Sequence, residues 1–259
     1  MKIHFYKYHG TGNDFILIDN REQLIDSKNK NLFAKLCDRH FGVGADGLIL
    51  LEQSKEYDFY MRYYNADGLE ASMCGNGGRC VVAFAKKLNI IQNKTQFEAI
   101  DGVHTATIAS DIVSLQMSDV AKVETHESHC FLNTGSPHHV SIIDGLDTFP
   151  VVAKGREIRY AAPYYETGSN VNFVEQTTPN SFKVRTYERG VENETLSCGT
   201  GVTAVAIAMF AQKKTTSKII TLETLGGNLE VSFKTTKGLY SSIFLKGTAT
   251  FVFDGSLEI

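Results

Sequence analysis

The sequence predicts an α/β protein of two pseudo-symmetric domains, each a mainly antiparallel sheet or barrel wrapped around a central helix. Three observations predict this architecture. Short motifs recur along the chain at one spacing, the β-rich and helical segments around them follow the same order in both halves, and each half contains a helix with an apolar face. With 259 residues, 42% of them hydrophobic, the chain is long enough to form two domains.

Three motifs of the first half recur in the second half in the same order. FxxRxYN at 59–65 recurs as FxxRxYE at 182–188, and TG at 11–12 recurs at 134–135, each 123 residues later. CGNG at 74–77 recurs as CGTG at 198–201, 124 residues later. One such pair could arise by chance, but three at nearly one offset indicate a duplication. We therefore expect an N-terminal half over residues 1–120 and a C-terminal half over residues 121–246.

Each half is predicted to run from short strands through a Cys-Gly loop into a helix and then into further strands. After Cys74, apolar residues recur at the spacing of one helix face. After Cys198, the helix is apolar nearly all round, which predicts that it is buried inside its domain. The predicted strands are Ile3–Tyr8, Phe15–Asp19, Asp58–Tyr64, His139–Ile143, Asn170–Val174 and Ser181–Tyr187, and the helix-face residues after Cys74 are Val81, Phe84, Ala85 and Leu88.

Cys74 and Cys198 each stand directly before Gly-x-Gly at the start of a predicted helix. Such a start has unpaired N–H groups and a partial positive charge, which suit a carboxylate or a thiolate. An ordinary thiol is only about 3% ionised at pH 7, whereas a helix N-terminus or a nearby cation can lower its pKa to roughly 3.5–7.5. The remaining thiols, Cys37, Cys80 and Cys130, lack this context and are predicted to be inert.

Two thiols on opposite sides of a shared cleft would suit the inversion of an amino acid. One thiolate would remove the α-proton from one face, and the other thiol would deliver a proton to the opposite face. The helix N–H groups would stabilise the negative charge that moves onto the carboxylate. Two other interpretations remain open: the cysteines are small core residues at tight turns, or they form a redox switch in a thiol redox or anion-binding protein.

Charge, hydropathy and motif content exclude several other classes of protein. The net charge is −3 and the longest basic runs are two doublets, so we expect no nucleic-acid partner. No apolar run is long enough for a membrane span, and the N-terminus lacks the apolar region of a signal peptide, so we expect a cytoplasmic protein with reduced thiols. No metal motif appears, and His138 and His139 are strand neighbours that point to opposite faces, so no metal site is predicted.

Taken together, six segments resemble the diaminopimelate epimerase family along the whole chain. Related proline and hydroxyproline racemases carry a Cys-Gly-His-Gly version of the first loop, and phenazine-pathway isomerases share the fold without the paired cysteines. The resembling segments are HGTGNDF (9–15), FGVGADGL (41–48), YYNADGLEASMCGNGGRC (63–80), TGSPHHV (134–140), YERGVENETLSCGTG (187–201) and FVFDG (251–255).

The resemblance implies a reaction and a set of site residues. LL-2,6-diaminopimelate would be epimerised to meso-diaminopimelate for lysine and peptidoglycan synthesis, with no cofactor, neither pyridoxal phosphate nor metal. Cys74 and Cys198 would be the catalytic acid and base, and His138 and Glu188 would tune their pKa values. The backbone of Gly75, Asn76, Gly199 and Thr200 would hold the reacting carboxylate, and Asn13, Asn65, Asn170, Glu188 and Arg189 would bind the rest of the substrate.

The resemblance also implies a homodimer, and a return strand at 247–259 that completes the N-terminal half. Two positions depart from the family pattern: Ser136 stands where many members have Asn, and Gly47 stands where some have Gln. These departures affect how the non-reacting end of the substrate is held. The alternative enzyme is another pyridoxal-phosphate-independent amino-acid racemase, whose one-ended substrate would leave Glu188 and Arg189 unsatisfied.

Overall fold

The computed structural model describes residues 2–258, and the chain divides into two compact units. The first unit combines the residues up to 115 with those from 247 onward, and the second spans residues 116–246. The chain therefore leaves the first unit once and returns to it for its last segment.

The first unit contains nine strands and two helices among the described residues. Its elements up to the boundary are β1 (Lys2–Gly10), β2 (Asn13–Asp19), α1 (Lys30–Cys37), β3 (Gly47–Glu52), β4 (Tyr60–Asn65), β5 (Glu70–Ala71), α2 (Gly75–Lys87), β6 (Lys94–Ala99), β7 (Gly102–Ala109) and β8 (Ile112–Met117).

The second unit repeats this order, and the last strand then returns to the first unit. These elements are β9 (Val123–Thr125), β10 (Cys130–Asn133), β11 (Pro137–Ile142), a short 3-10 helix (Leu146–Thr148), α3 (Val151–Tyr160), β12 (Asn170–Thr178), β13 (Ser181–Glu188), β14 (Asn193–Thr195), α4 (Gly199–Ala211), β15 (Ile219–Thr224), β16 (Gly227–Thr236), β17 (Leu239–Thr248) and the returning β18 (Thr250–Glu258).

The strands of the two units pair in the same way. In the first unit the order is β18-β1-β2-β3-β4-β6-β7-β8, antiparallel except for β2–β3 and β4–β6. In the second unit the order is β9-β10-β11-β12-β13-β15-β16-β17, antiparallel except for β11–β12 and β13–β15. Thus β18 occupies in the first unit the place of β9 in the second.

The register is repeated as well as the order. Phe15 lies opposite Gly47 in the first unit, and the residues 123 positions later, His138 and Asn170, lie opposite each other in the second. A one-residue slip would turn every side chain of a strand to the other face of its sheet. Equal registers therefore bring residues at this offset to equivalent places, which supports the duplication.

A central helix packs against the strands in each unit. In the first unit α2 contacts β1–β4 and β7, and in the second α4 contacts β9–β13, β15 and β16. Residues 202 and 204–209 of α4 have no exposed surface, as the all-round apolar pattern predicts. Burying one Val, Ile or Met side chain is worth about 1.5–3 kcal/mol, so α4 anchors its unit. The predicted fold class is confirmed.

Five of the six predicted strands lie within two residues of the observed ones, whereas β12 continues to Thr178, four residues beyond the predicted end at Val174. Strand β4 differs at its start. It begins at Tyr60 rather than Asp58, and the Asp58 carboxylate instead accepts hydrogen bonds from Thr95 Oγ1 at 2.8 Å and from the N–H of Gln96 at 3.1 Å in the neighbouring β6. Within residues 2–258, no helix is long and apolar enough to cross a membrane.

Candidate active site

Helices α2 and α4 begin in the same way, each with a cysteine as its N-cap residue. Cys74 and Cys198 have extended backbones, and each helix then runs for 13 residues. The carbonyl of Cys74 accepts from the N–H of Gly78 at 2.7 Å, and that of Cys198 accepts from the N–H of Val202 at 2.9 Å. In an α-helix the first N–H groups make no hydrogen bond within the helix. Both helix starts therefore offer donors to an anion.

The N-terminal half-site consists of Asn13, Cys74 and Asn76, with Asp46 behind them. Asn13 Oδ1 accepts from Cys74 Sγ at 3.7 Å and from Asn76 Nδ2 at 3.2 Å. Asn13 Nδ2 donates to Asp46 Oδ2 at 2.7 Å. Because a carboxylate can only accept, it fixes the orientation of the Asn13 amide and turns the oxygen toward the cysteine.

A charge cluster supports this carboxylate. Arg39 bridges Asp14 and Asp46 at 2.8 and 2.7 Å, and Lys7 lies 2.6 Å from Asp14. Burial alone would raise the pKa of Asp14, but hydrogen bonds and attraction from Arg39 and Lys7 lower it to about 2. The cluster therefore keeps its charge across the physiological pH range and holds the loop that carries Asp46.

Asn65 and Gly47 form a separate part of the first unit. They face each other across the β3–β4 ladder, and Asn65 is held by a turn in which its N–H donates to Leu69 O at 3.0 Å. A Cβ at position 47 would lie 2.6 Å from the Tyr63 ring and 2.7 Å from Tyr64 O. The packing of Tyr63 therefore explains why this chain has no side chain at position 47.

The C-terminal half-site consists of Cys198, Thr200 and Thr134. Cys198 is 7% exposed, and its Sγ lies 3.5 Å from Thr200 Oγ1, with either atom as the donor. Thr134 Oγ1 donates to Thr200 O at 2.9 Å, which ties the β10–β11 turn to the start of α4. Thr134 belongs to the TG motif that recurs at the constant offset.

Asn170, Arg189 and Ser136 are brought together at one end of β12. Asn170 Nδ2 donates to Ser136 Oγ at 2.9 Å and to Pro137 O at 3.2 Å, and the backbone N–H of Arg189 donates to Asn170 Oδ1 at 2.9 Å. The Arg189 guanidinium donates to Thr167 O at 2.9 Å and to Ser136 Oγ at 3.5 Å. Ser136, one of the two family departures, thus helps to position Arg189.

Glu188 lies beside this group at the end of β13. Its Oε2 accepts from Thr195 Oγ1 at 3.1 Å, and its carbonyl accepts from the N–H of Glu192 at 2.8 Å. Asn65 lies opposite Gly47, and Glu188, 123 positions after Asn65, ends β13 one residue beyond the Val171–Tyr187 pair. A neutral amide in the first unit thus corresponds to a carboxylate in the second.

His138 is fully buried and electrically neutral. Its Nδ1 lies 3.1 Å from Asn172 Nδ2. Because an amide nitrogen can only donate, Nδ1 is the acceptor, and the ring proton is on Nε2. Within residues 2–258 the Nε2 atom has no hydrogen-bond partner. Burial, helped by the charge of Arg189, lowers the pKa of His138 to about 3. His138 can therefore act on its surroundings as a dipole but not as a cation.

The other three cysteines lie in the core, as expected for inert thiols. Cys37, Cys80 and Cys130 are buried, and burial raises the pKa of each of them, to about 12 for Cys37 and Cys80. No cluster of metal-binding side chains occurs in the part of the chain that the structure describes.

Asp46, Asn172 and Arg79 contact the site residues but were missed by the sequence reasoning. Asp46 orients Asn13, Asn172 holds His138, and Arg79 hydrogen-bonds Asn76 at 3.0 Å. A comparison of the two halves at the constant offset could have found the last two. Asn172 corresponds to Ile49 and Arg79 to Thr203, so a polar residue replaces an apolar one in the first pair and a charged residue replaces a neutral one in the second.

Two solved structures have the same fold as this chain. The chain matches a phenazine-biosynthesis protein of the PhzF family from Bacillus anthracis with a TM-score of 0.80 and 14% identity, and each chain is covered completely. It matches a hydroxyproline epimerase from Agrobacterium vitis with a TM-score of 0.70 and 15% identity, over 99% of this chain and 92% of the other. At such identities the likeness establishes the fold alone.

Sequence comparisons then give the family. The family model described as diaminopimelate epimerase matches residues 5–123 and 130–252. A diaminopimelate epimerase of Flavobacterium psychrophilum is 60% identical over 97% of this chain and 99% of that protein, and one of Chlorobaculum tepidum is 40% identical over 96% and 99%. The chain belongs to the diaminopimelate epimerase family, which confirms the resemblance seen in the sequence.

Proposed function

We propose that this protein epimerises LL-2,6-diaminopimelate to meso-diaminopimelate, with Cys74 and Cys198 as the acid–base pair and no cofactor. The observation that carries the proposal is that each of two equivalent helix starts is capped by a cysteine and followed by Gly-x-Gly. Membership of the family supplies the substrate and the place in lysine and peptidoglycan precursor synthesis.

In the proposed reaction one proton is removed from the α-carbon and another proton is added to its opposite face. A thiolate on one face takes the Cα proton and becomes a thiol, while the opposite thiol gives its proton and becomes a thiolate. The intermediate carbanion places negative charge on the carboxylate, where the N–H groups of Gly75, Asn76, Gly199 and Thr200 would stabilise it. The atoms and charges balance, and the two sulfurs exchange protonation states in each turnover.

The remaining substrate contacts are proposed for polar groups of both units. Diaminopimelate has an amino acid at each end, so its distal end offers a carboxylate to Arg189 and an ammonium to Glu188. An arginine binds a carboxylate in bidentate fashion, and Arg189 is pre-positioned by Thr167 and Ser136. The side-chain amides of Asn13, Asn65 and Asn170 would provide neutral hydrogen-bond donors and acceptors. They would recognise where the polar groups of the substrate lie rather than their charge.

His138 and Glu188 are proposed to tune the thiols by different means. His138 is neutral, so it would favour a nearby thiolate only through its N–H dipole. A carboxylate at Glu188 would disfavour a nearby thiolate. Together, His138 and Glu188 would keep the pKa of the Cys198 thiol in a range where it can both donate and accept a proton. An acid–base group requires such a pKa.

We also propose a cytoplasmic homodimer. Reduced thiols persist in a reducing compartment. For the dimer, β18 is a nine-residue strand that leaves Phe251, Val252 and Phe253 38%, 51% and 46% exposed. Three adjacent exposed apolar residues are typical of an interaction surface. Sedimentation of wild type and Val252→Asp tests this: a dimer that the substitution dissociates is expected, and a monomeric wild type would contradict it.

The activity is tested with thiol-reduced protein and LL-diaminopimelate, by chiral chromatography of the two epimers. Formation of the meso epimer without added pyridoxal phosphate is expected. Chelator-treated protein should be equally active. Activity on proline or another one-ended amino acid, with none on diaminopimelate, would instead identify a different racemase.

A further inference from the structure

Arg189, the residue proposed to bind the distal carboxylate, is held by two irregular segments of the second unit. Its backbone belongs to the turn 189–192, which joins β13 to β14. Its guanidinium donates to Thr167 O, and this carbonyl belongs to the segment 161–168, which joins α3 to β12. Neither the turn nor the segment is fixed by the ladder of a sheet. The position of Arg189 therefore depends on the contacts that hold them.

Arg159, in the last turn of α3, contacts both of these segments. Its Nε lies 3.3 Å from Glu192 Oε1 in the turn 189–192, and its Nη1 donates to Tyr165 O at 3.2 Å in the segment 161–168. Gly168 lies against the same guanidinium, and any side chain at this position would overlap it. One buried side chain thus joins the two segments that hold Arg189.

Glu192 extends this contact through the turn. Its Oε1 also accepts from the N–H of Gly190 at 3.1 Å, and its Oε2 accepts from Tyr187 Oη at 3.0 Å. Its own N–H donates to Glu188 O at 2.8 Å. The residues on either side of Arg189 are therefore both hydrogen-bonded to Glu192.

The ion pair of Arg159 and Glu192 is largely withdrawn from water. The Arg159 side chain is 10% exposed and that of Glu192 is 32% exposed. Burial alone would raise the pKa of the Glu192 carboxyl, but hydrogen bonds from Gly190 and Tyr187 and the charge of Arg159 hold it below its usual value. Glu192 therefore remains a carboxylate at neutral pH and keeps its partner in place.

The first unit has apolar residues at the equivalent positions. At the 123-residue offset Arg159 corresponds to Leu36 and Glu192 to Leu69. The offset applies here because α1 and α3 end 123 residues apart. Apolar residues often stabilise a protein at least as well as a buried ion pair of similar volume. The ion pair in the unit that carries Arg189 therefore points to a role in positioning rather than in stability.

We propose that Arg159 and Glu192 are positioning residues that set the place of Arg189 and thereby the binding of the distal end of the substrate. The inference rests on the proposed function, because it concerns the group that would bind the distal carboxylate. Both residues act through the backbone of the two segments. Removing either partner should let the turn 189–192 and the segment 161–168 move apart and displace Arg189.

Steady-state kinetics of Arg159→Met and Glu192→Gln with LL-diaminopimelate tests this role. The first variant removes the cation at similar length, and the second removes the negative charge at nearly the same shape. KM should rise about tenfold, since a misplacement of about 1 Å can cost as much as a hundredfold. The change in kcat should be smaller, because a contact at the distal end is made in the ground state as well as in the transition state. An unchanged KM in both folded variants would overturn the proposal.

Arg185→Met is the matched control in the same unit. Arg185 is paired with Glu194 at 2.6 Å, and its guanidinium donates to Leu146 O and Phe149 O, all outside the turn 189–192 and the segment 161–168. The side chains of this ion pair are 19% and 16% exposed, so it is buried to a similar degree. Its loss should lower the melting temperature but leave KM unchanged. An equal rise in KM would show that loss of stability alone explains the Arg159→Met result.

A double variant shows whether Arg159 acts through Arg189. Arg189→Ala removes the group that Arg159 would position. Adding Arg159→Met to Arg189→Ala should therefore change kcat/KM by less than about twofold, whereas independent effects would multiply. A further tenfold loss in the double variant would contradict the assignment.

Hydrogen exchange resolved by peptide tests the contacts without substrate. Exchange should be faster in the segment 161–168 and the turn 189–192 of Arg159→Met than in wild type, and unchanged in α4 if the second unit remains folded. Unchanged exchange in both segments would refute the proposal. If Arg159→Met does not fold, Glu192→Gln decides by the same measurements. A wild type that does not epimerise diaminopimelate would contradict the proposed function, but the exchange result would still stand, so the two failures are distinguishable.

Discussion

The amide nitrogen of Asn13 lies 2.7 Å from a carboxylate oxygen of Asp46, and this contact determines which atom Asn13 presents to Cys74. An asparagine amide can be turned by 180° with little change in shape, so its orientation depends on its neighbours. Here the acceptor-only carboxylate makes the Asn13 oxygen face the sulfur and the Asn76 amide.

Asp46→Asn is therefore expected to impair the reaction although it is nearly isosteric. The new amide can donate to Asn13, which permits the reversed orientation and places an N–H group near Cys74. Loss of one oriented hydrogen bond costs about 1–1.5 kcal/mol, so kcat/KM should fall about tenfold, mainly through kcat. Steady-state kinetics with LL-diaminopimelate gives the answer. Arg39→Gln retains the Asp46 carboxylate and should have a smaller effect, and an Asp46→Asn variant with wild-type kinetics would contradict the assigned role.

Arg189→Ala tests the two-ended substrate. Removing the arginine leaves the distal carboxylate without its charged partner, which costs about 2–5 kcal/mol, so kcat/KM should fall by at least thirtyfold, about 2 kcal/mol. Arg189→Lys should recover part of the loss, because it restores the charge but not the bidentate geometry. The control is Arg156→Ala, the same change at an exposed position of α3, which should be silent. Equal kinetics for wild type and Arg189→Ala would show that this arginine does not bind substrate.

The helix starts were predictable from the sequence because their signals are local. Cys-Gly-x-Gly and the apolar run that follows occupy a few consecutive residues, and the constant offset relates the two halves. The Asn13–Asp46 contact and the His138–Asn172 contact join residues 33 or 34 positions apart. They depend on the register of the parallel β2–β3 and β11–β12 ladders, which no local motif specifies. The burial of Arg79 could not be predicted from the sequence either, because an arginine near the start of a helix is ordinarily solvated.

The second unit should lose stability in acid because of two buried histidines. Burial lowers the pKa of His138 to about 3, and burial with repulsion from His129 and His126 does the same for His139. An unfolded histidine has a pKa near 6.5. Between these values the unfolded state binds more protons, so the free energy of unfolding should fall as the pH decreases from about 6.5 toward 3. The loss should reach the order of a few kcal/mol.

Thermal unfolding at pH 7, 6, 5 and 4, with hydrogen exchange resolved by peptide, measures this loss. His139→Gln removes one titrating group, so its melting temperature should depend less steeply on pH than that of wild type. His40→Gln, an exposed counterpart in the first unit, should retain the wild-type slope. Identical slopes for wild type and His139→Gln would show that His139 does not cause the acid sensitivity.

The last prediction concerns the proposed two-thiol mechanism and uses deuterated water. The thiol that delivers the new hydrogen has exchanged with solvent, whereas the thiolate that removes the old one holds protium from the substrate. At low conversion the product epimer should be deuterated at Cα, and recovered substrate should remain largely unlabelled. One base that carried the proton across would return part of the protium to the product, so mass spectrometry and NMR of both epimers distinguish the two mechanisms.

Single substitutions of the cysteines complete the argument. Cys74→Ala and Cys198→Ala should each abolish inversion, because one face of the α-carbon then has neither acid nor base. The remaining thiolate should still exchange the Cα proton of the epimer that faces it, so each variant labels one epimer without converting it. Cys80→Ala is the matched control, since its thiol is buried in α2 and takes no part in proton transfer. Opposite labelling in the two cysteine variants would assign one face to each sulfur, and substantial epimerisation by either variant would end the proposal.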